Sequence, residues 1–100
     1  MSRAKAKVVE PSAVEVKTKV TPEDVVAAIK QESYIVLPNG RTTVCQLTLD
    51  NGFTVEGTSA CVHAANFNLL QGREIARENA VEKVWQLLGF RLADRLTAQQ

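Results

Sequence analysis

At 100 residues and 10.9 kDa the chain has room for one domain, with a core small enough that a subunit interface is expected to contribute to its stability. No apolar run reaches membrane-spanning length and no charged-then-apolar leader opens the chain, so the expectation is a cytosolic protein with no membrane partner. The formal net charge of +1 is unevenly spread. Residues 1–20 hold five basic side chains against Glu10 and Glu15, whereas residues 21–100 hold 7 basic and 9 acidic ones. A basic arm on a mildly acidic body can touch an anionic partner, but duplex binding ordinarily needs a basic surface on the folded module. A nucleic-acid-associated factor working through the arm is therefore the alternative reading.

Residues 1 to about 12 mix Ala, Lys, Val and Ser with Pro11 and hold no period, which predicts a flexible arm. Val14, Val16, Thr18 and Val20 then alternate with Glu15, Lys17 and Lys19. This pattern suits an edge strand, or an extended arm that orders against a neighbouring subunit. Val14 and Val16 are accordingly assigned to an oligomer interface. The division is a basic arm over residues 1–20 and one small domain over residues 21–100.

Thr21-Pro22-Glu23-Asp24 is a helix start, with Thr as cap, Pro in the first turn and two acids at the positive end of the dipole. The predicted helix runs from Pro22 to about Ser33 and packs through Val25, Val26, Ala28 and Ile29. Tyr34 to Leu37 lead into Pro38-Asn39-Gly40-Arg41, a turn whose residues break any helix.

A β-hairpin follows, from about Thr42 to Gly57. A two-residue Asn51-Gly52 turn would set Leu49 opposite Thr54 and Leu47 opposite Glu56, mixing apolar and polar groups on one face. A three-residue Asp50-Asn51-Gly52 loop, with Gly52 at positive φ, instead pairs Leu49 with Phe53, Leu47 with Val55 and Cys45 with Gly57. One face is then apolar, and a one-residue slip would turn that whole set toward water. The three-residue register is the prediction.

The second helix is predicted from about Asn66 to Leu88, with Asn66 or Asn68 as cap and Gly89 as the stop. Leu69, Ala76, Ala80, Val81, Val84, Trp85, Leu87 and Leu88 share one broad arc. Arg73 and Arg77 project from the middle of that arc. Phe90 to Leu96 form either a last helical turn or a packed tail. The fold class is α+β: N-terminal helix, β-hairpin and long C-terminal helix, with both helices on one face of the sheet and a flexible basic arm in front.

Residues that carry chemistry are few. Cys61 with His63, and Cys45 as a third group, suggest a nucleophile with its base or a set of metal ligands, yet a thiolate site needs an oriented base and structural zinc needs four ligands in paired spacings. Reduced thiols, one of them a small core hydrophobe, account for the same residues, so no catalytic residue, metal or cofactor is assigned. Gly57-Thr58-Ser59-Ala60 offers hydroxyls and backbone N–H groups between strand and helix, as capping of a turn or as an anion cradle, although the chain distance to Asn66 or Asn68 argues against an anion on the helix cap itself. Arg73 and Arg77, one turn apart, either lay their stems on apolar surface or form a fork for a phosphate or carboxylate. If the connection folds back, Thr58, Ser59, Arg73 and Arg77 converge, and these four are the expected ligand or partner site. Asn79 joins the expected oligomer interface through a close helix contact, and Trp85, Leu88 and Phe90 are expected in the core.

The run Cys45-x-Leu-Thr-Leu-x-Asn-Gly-Phe-x-Val-x-Gly-x-Ser-Ala-Cys61, followed by Asn66-Phe67, Gly72, Ile75-Ala76, Glu78-Asn79-Ala80, Lys83, Trp85 and Gly89, resembles a family of small uncharacterised proteins of tailed bacteriophages over roughly residues 25 to 92. This chain departs from the family pattern at His63-Ala64, where Asp-Pro is expected, and at Leu88, where an acid often stands. The resemblance implies a phage origin and a host-cytoplasmic setting, and it transfers no catalytic residue. The expected function is a non-catalytic phage accessory protein that binds stoichiometrically, as a homo-oligomer, to a host protein or to a small anionic or nucleotide ligand in host takeover or counter-defence.

Overall fold

The computed structural model describes residues 17–99. Helix α1 (Pro22–Ala28) is followed by strands β1 (Ile29–Val36), β2 (Thr42–Leu49) and β3 (Thr54–Ala60), a single 3-10 turn (Ala64–Asn66) and helix α2 (Leu69–Ala98). The strands form one antiparallel sheet in the order β1-β2-β3. The α+β class is as expected, with a third strand added. Residues 1–16, which include Val14 and Val16 and most of the arm, lie outside the described residues. Residues 17–20 belong to no helix or strand.

The start of α1 is the one its sequence specifies. Thr21 Oγ1 accepts the Asp24 N–H and Asp24 Oδ2 accepts the Thr21 N–H, a reciprocal capping box with Pro22 in the first turn. Lys17 Nζ lies 2.9 Å from the same carboxylate. The end differs from expectation, because the helix stops at Ala28 and Ile29 turns to extended backbone. Residues predicted as its last turn, Ile29 to Ser33, are edge strand β1 instead, with the register shifting between Ile29 and Gln31. Lys30, Gln31 and Glu32 favour a helix in isolation, but pairing with β2 bonds this backbone along its length, and tertiary pairing outweighs a weak local preference.

The β2–β3 hairpin has the three-residue loop and the predicted register, Cys45 opposite Gly57 and Leu47 opposite Val55. Gly52 sits at φ 88°, Gly52 N–H bonds Leu49 O at 3.0 Å and Leu49 N–H bonds Phe53 O at 2.8 Å. The inner face of the sheet, through Thr43, Cys45, Leu47, Leu49, Val55 and Gly57, is buried against α2. Ala76, Ala80, Val84 and Leu88 meet it, and Val25 and Ala28 of α1 close the same core. Trp85 and Phe90 do not join it as expected: they are 37% and 69% exposed, while Leu88 is buried.

Helix α2 begins on Asn68, whose Oδ1 accepts the Gln71 N–H at 3.0 Å. It runs straight through Gly89, the expected stop, for 30 residues. A helix-interior glycine costs only about 1 kcal/mol relative to alanine, and Gly89 is not at positive φ. The turns beyond it are anchored by Arg91, which holds Asp50 of the β2–β3 loop through two bonds of 3.1 and 3.2 Å.

Helix and sheet meet most closely at Gly57. A Cβ there would fall inside contact distance of Ala76 O, Ala80 N and Asn79 C, all backbone atoms of α2. Gly57→Ala is therefore expected to cost about 3 kcal/mol, since neither backbone can yield without moving a whole element. Gly89→Ala, with nothing within 4 Å of the new methyl, is expected to raise stability by about 1 kcal/mol. Chemical denaturation of the two variants checks both signs, and equal effects would show that the close approach at Gly57 is not made.

Candidate functional site

Alternation along the strands decides where the expected site residues go. Thr58 is opposite Val44 and out of phase with Gly57, so its side chain lies on the outer face of the sheet, away from α2. Ser59 is opposite Thr43 and in phase with Gly57, on the helix side. Arg73 and Arg77 lean toward the other edge of the sheet. The Arg73 guanidinium carbon stands 5.4 Å from the centroid of the Tyr34 ring, and Arg77 Nε donates to both carboxylate oxygens of Glu32 at 3.3 Å. The connection does not bring the four residues into one cluster: the arginines contact β1, and the two hydroxyls belong to β3 on opposite faces.

The arginine side is a strap that holds edge strand β1 to α2. Tyr34 Oη donates to Glu32 Oε1 at 2.6 Å, and Arg77 completes the chain. The Tyr34 hydroxyl, assisted by Arg77, holds the Glu32 carboxyl below its ordinary value of 4.5. Burial and the Glu32 hydrogen bond push the Tyr34 phenol well above its ordinary value of 10.0. On the far edge Asn79 Nδ2 donates to the Thr58 carbonyl at 2.7 Å. This committed amide covers an outward carbonyl of edge strand β3, which is a use within the chain for the residue expected at an interface.

The thiols and the imidazole are similarly occupied. Cys45 is fully buried in the core, and burial pushes its thiol up. Cys61 Sγ donates to the His63 carbonyl at 3.3 Å, and His63 Nδ1 accepts the Ala65 N–H at 3.1 Å, capping the 3-10 turn. Among the described residues no group of three or more His, Cys, Asp or Glu side chains is placed to hold a metal ion.

A different grouping is created by that 3-10 turn. It folds the β3–α2 connection back, so Ser59 and Asn68 line one hollow despite their separation in the chain. Arg41, Asn66 and Gln71 add further polar groups, Ala60, Phe67 and Ile75 make up an apolar part of the lining, and its volume is about 170 Å³. Arg41 is held at the rim, with Nη1 donating to Val62 O at 3.2 Å and the backbone carbonyl accepting the Cys61 N–H at 3.0 Å. The Thr43 hydroxyl is fully buried and has no hydrogen-bond partner among the described residues. No carboxylate lines the hollow, and the first turn of α2 carries no acid. Of these residues, sequence reasoning singled out Ser59 and the cap Asn68 and missed Arg41 and Thr43. A signal for Thr43 was present, since it is a polar residue in phase with Cys45 and Leu47 on the apolar face.

Comparison with family models matches residues 20–96 to the Phage protein (N4 Gp49/phage Sf6 gene 66) family. The chain belongs to that family. The match covers α1, the whole sheet and nearly all of α2, so the family extends over the fold just described and over the hollow. Neither the curated proteins nor the solved structures contain a match. No helix among the described residues is long and apolar enough to cross a membrane.

The strap has a spectroscopic handle, because Tyr34 is the only tyrosine of the chain. Its raised value means that the strap's contribution is complete below the ordinary tyrosine value and is lost as pH rises through the folded one. The depressed Glu32 value means a contribution present above 4.5 and lost as pH falls through the carboxylate range. Phenolate absorbance is expected to appear above pH 10.0, and in Glu32→Gln to shift part of the way back while remaining raised by burial. Arg77→Gln is expected to cost about 0.5 kcal/mol, the scale of a half-exposed ion pair. A tyrosine that titrates at its ordinary value in the intact protein would mean that the strap is not formed.

Proposed function

We propose that this phage protein is a non-catalytic accessory protein that acts in the host cytoplasm by stoichiometric binding. Its target is a small anionic ligand, a nucleotide signal among the candidates, or a host protein, in the service of host takeover or counter-defence. The observation that carries this reading is the hollow at the start of α2, where Arg41, Ser59 and Asn68 face one space with no carboxylate among its lining residues. Such a wall suits the holding of negative charge. The groups most suited to catalysis have other partners: His63 caps a turn, Cys45 is core, and Cys61 donates to a backbone carbonyl. Membership of a phage family supports the accessory role. A homo-oligomer belongs to the same proposal, because the core of so short a chain is small and closed two-fold dimers are the commonest assemblies.

The test is recovery of the tagged protein from infected cells under native conditions, followed by mass spectrometry of the intact species. A complex of fixed ratio with a host protein, or a chain carrying an added small anion, is the expected result, with the chain itself as a dimer or higher oligomer. Recovery of a bare monomer, with neither partner nor added mass, counts against the proposal.

A further inference from the structure

We propose that the free edge of β1 is a self-association surface, on which a second copy of this chain adds its own β1 in antiparallel pairing about a two-fold axis at Tyr34. The inference rests on the homo-oligomer named in the function proposed above and deepens it by assigning the interface.

The hydrogen-bond phase of the sheet is the first observation. Leu37 N–H bonds Thr42 O at 2.8 Å, and Ile35 stands opposite Val44 and Ser33 opposite Gln46. Ser33 and Ile35 therefore exchange their backbone bonds with β2, and the N–H and C=O groups of Glu32, Tyr34 and Val36 point away from it. Nothing among the described residues bonds to that outward row. Edges that stay in water are ordinarily blunted by Lys, Pro or a bulge. β1 has Lys30 and its register shift at the start, but neither Lys nor Pro from Gln31 to Val36. Ile35 and Val36 lie there 59% and 41% exposed.

The two edges of the sheet are not equivalent as templates. At β3, Asn79 already holds the Thr58 carbonyl, and the backbone of α2 stands on Gly57, the midpoint of the strand. Pairing β3 with itself about that point would bring two helices to the strand spacing of roughly 4.8 Å, about half of the 8–10 Å that packed helices need. β1 has room. Helix α2 packs over β2 and β3 and reaches β1 through the long side chains of Arg73 and Arg77. The edge open in hydrogen bonds is also the one open in space.

Self-complementarity selects the occupant. The stretch past the register shift runs from Gln31 to Leu37, and its midpoint is Tyr34. Turned about that midpoint, Glu32 faces Val36 of the partner subunit, Ser33 faces Ile35 of the partner subunit, and Tyr34 faces its own copy. Glu32 is the one charged residue of the stretch, so no like charges meet. Every outward N–H finds an outward C=O. The pairing is isologous and closes as a dimer, and it joins both three-stranded sheets into one, with both α2 helices on the same face.

Hydrogen–deuterium exchange of the full chain, read amide by amide at rising protein concentration alongside sedimentation velocity, tests the proposal. A dimer is expected in which the amides of Glu32, Tyr34 and Val36 gain protection in step with the dimer fraction. Ser33 and Ile35, bonded to β2 in either state, should be protected throughout, and Thr54 and Glu56 on the β3 edge should stay fast. Val36→Pro removes an outward N–H and no bond to β2, a change that edge strands tolerate. It should weaken self-association by about tenfold or more with the far-ultraviolet circular dichroism unchanged, whereas Thr54→Pro on the other edge should leave the dimer intact. If Val36→Pro does not fold, the exchange pattern of the unaltered chain decides. Protection of Glu32, Tyr34 and Val36 that is independent of concentration puts another segment of the same chain on the edge and overturns the proposal. A dimer in which these amides stay fast defeats this interface and leaves the homo-oligomer standing. A chain monomeric at every concentration defeats both, and leaves binding to a host protein or anion to its own test.

Discussion

Everything in this domain is arranged around the contact between Gly57 and the backbone of α2 at Ala76 and Ala80. A helix ordinarily rides on a sheet at the height of its side chains. Here two alanines on the helix and a glycine on the strand remove those side chains, and backbone meets backbone. The close approach fixes the rotation of α2 about its own axis, because only one face of the helix is small enough to make it. That rotation sends Arg73 and Arg77 toward β1, Asn79 toward the outer edge of β3, and Val84 and Leu88 into the space over Leu47 and Leu49.

The sheet has two edges, and α2 attends to each by a different chemistry. On the β1 side the Tyr34, Glu32 and Arg77 chain, with Arg73 over the ring, ties the strand to the helix by side chains. On the β3 side one amide meets an outward backbone carbonyl directly. Each bond is modest at its exposure. Together they fasten both margins of a three-stranded sheet to one long helix, which matters because so small a sheet gains little stability from its own pairing. At the far end the Arg91 pair with Asp50 ties the hairpin loop to the same helix and lowers the Asp50 carboxyl through its hydrogen bonds.

The hollow at the start of α2 is a by-product of the same geometry. Near Gly57 helix and sheet touch, and toward the start of α2 a second glycine, Gly72, stands over Thr43. The strands there carry hydroxyls in place of the leucines and valines found further along, so the inner face changes from apolar to polar within one strand. Thr43 is still as fully buried as Cys45, and the hollow begins beyond it, beside half-buried Ser59.

The local elements were legible because their determinants are local. The capping box at Thr21 and Asp24, the Gly52 loop with its register, and the Asn68 cap each depend on residues within a few positions of one another, as does the apolar arc from Ala76 to Leu88. Membership of a phage protein family was legible too. What the sequence left open involves partners distant in the chain. Ile29 to Ser33 became strand because β2 lay beside them, and Gly89 stayed helical because the turns after it are anchored to Asp50. Phe90 and Trp85 remained exposed because the sheet does not reach their side of the helix. For the site, hydroxyl and guanidinium chemistry could be recognised residue by residue, but the grouping of Ser59 with Arg41 and Asn68, in place of Arg73 and Arg77, was not readable. The sequence by itself determined where α1 and α2 begin and how the β2–β3 hairpin turns. Only the tertiary structure decided which faces meet, because helix rotation and strand alternation select, from side chains of equal chemical promise, those that share a space.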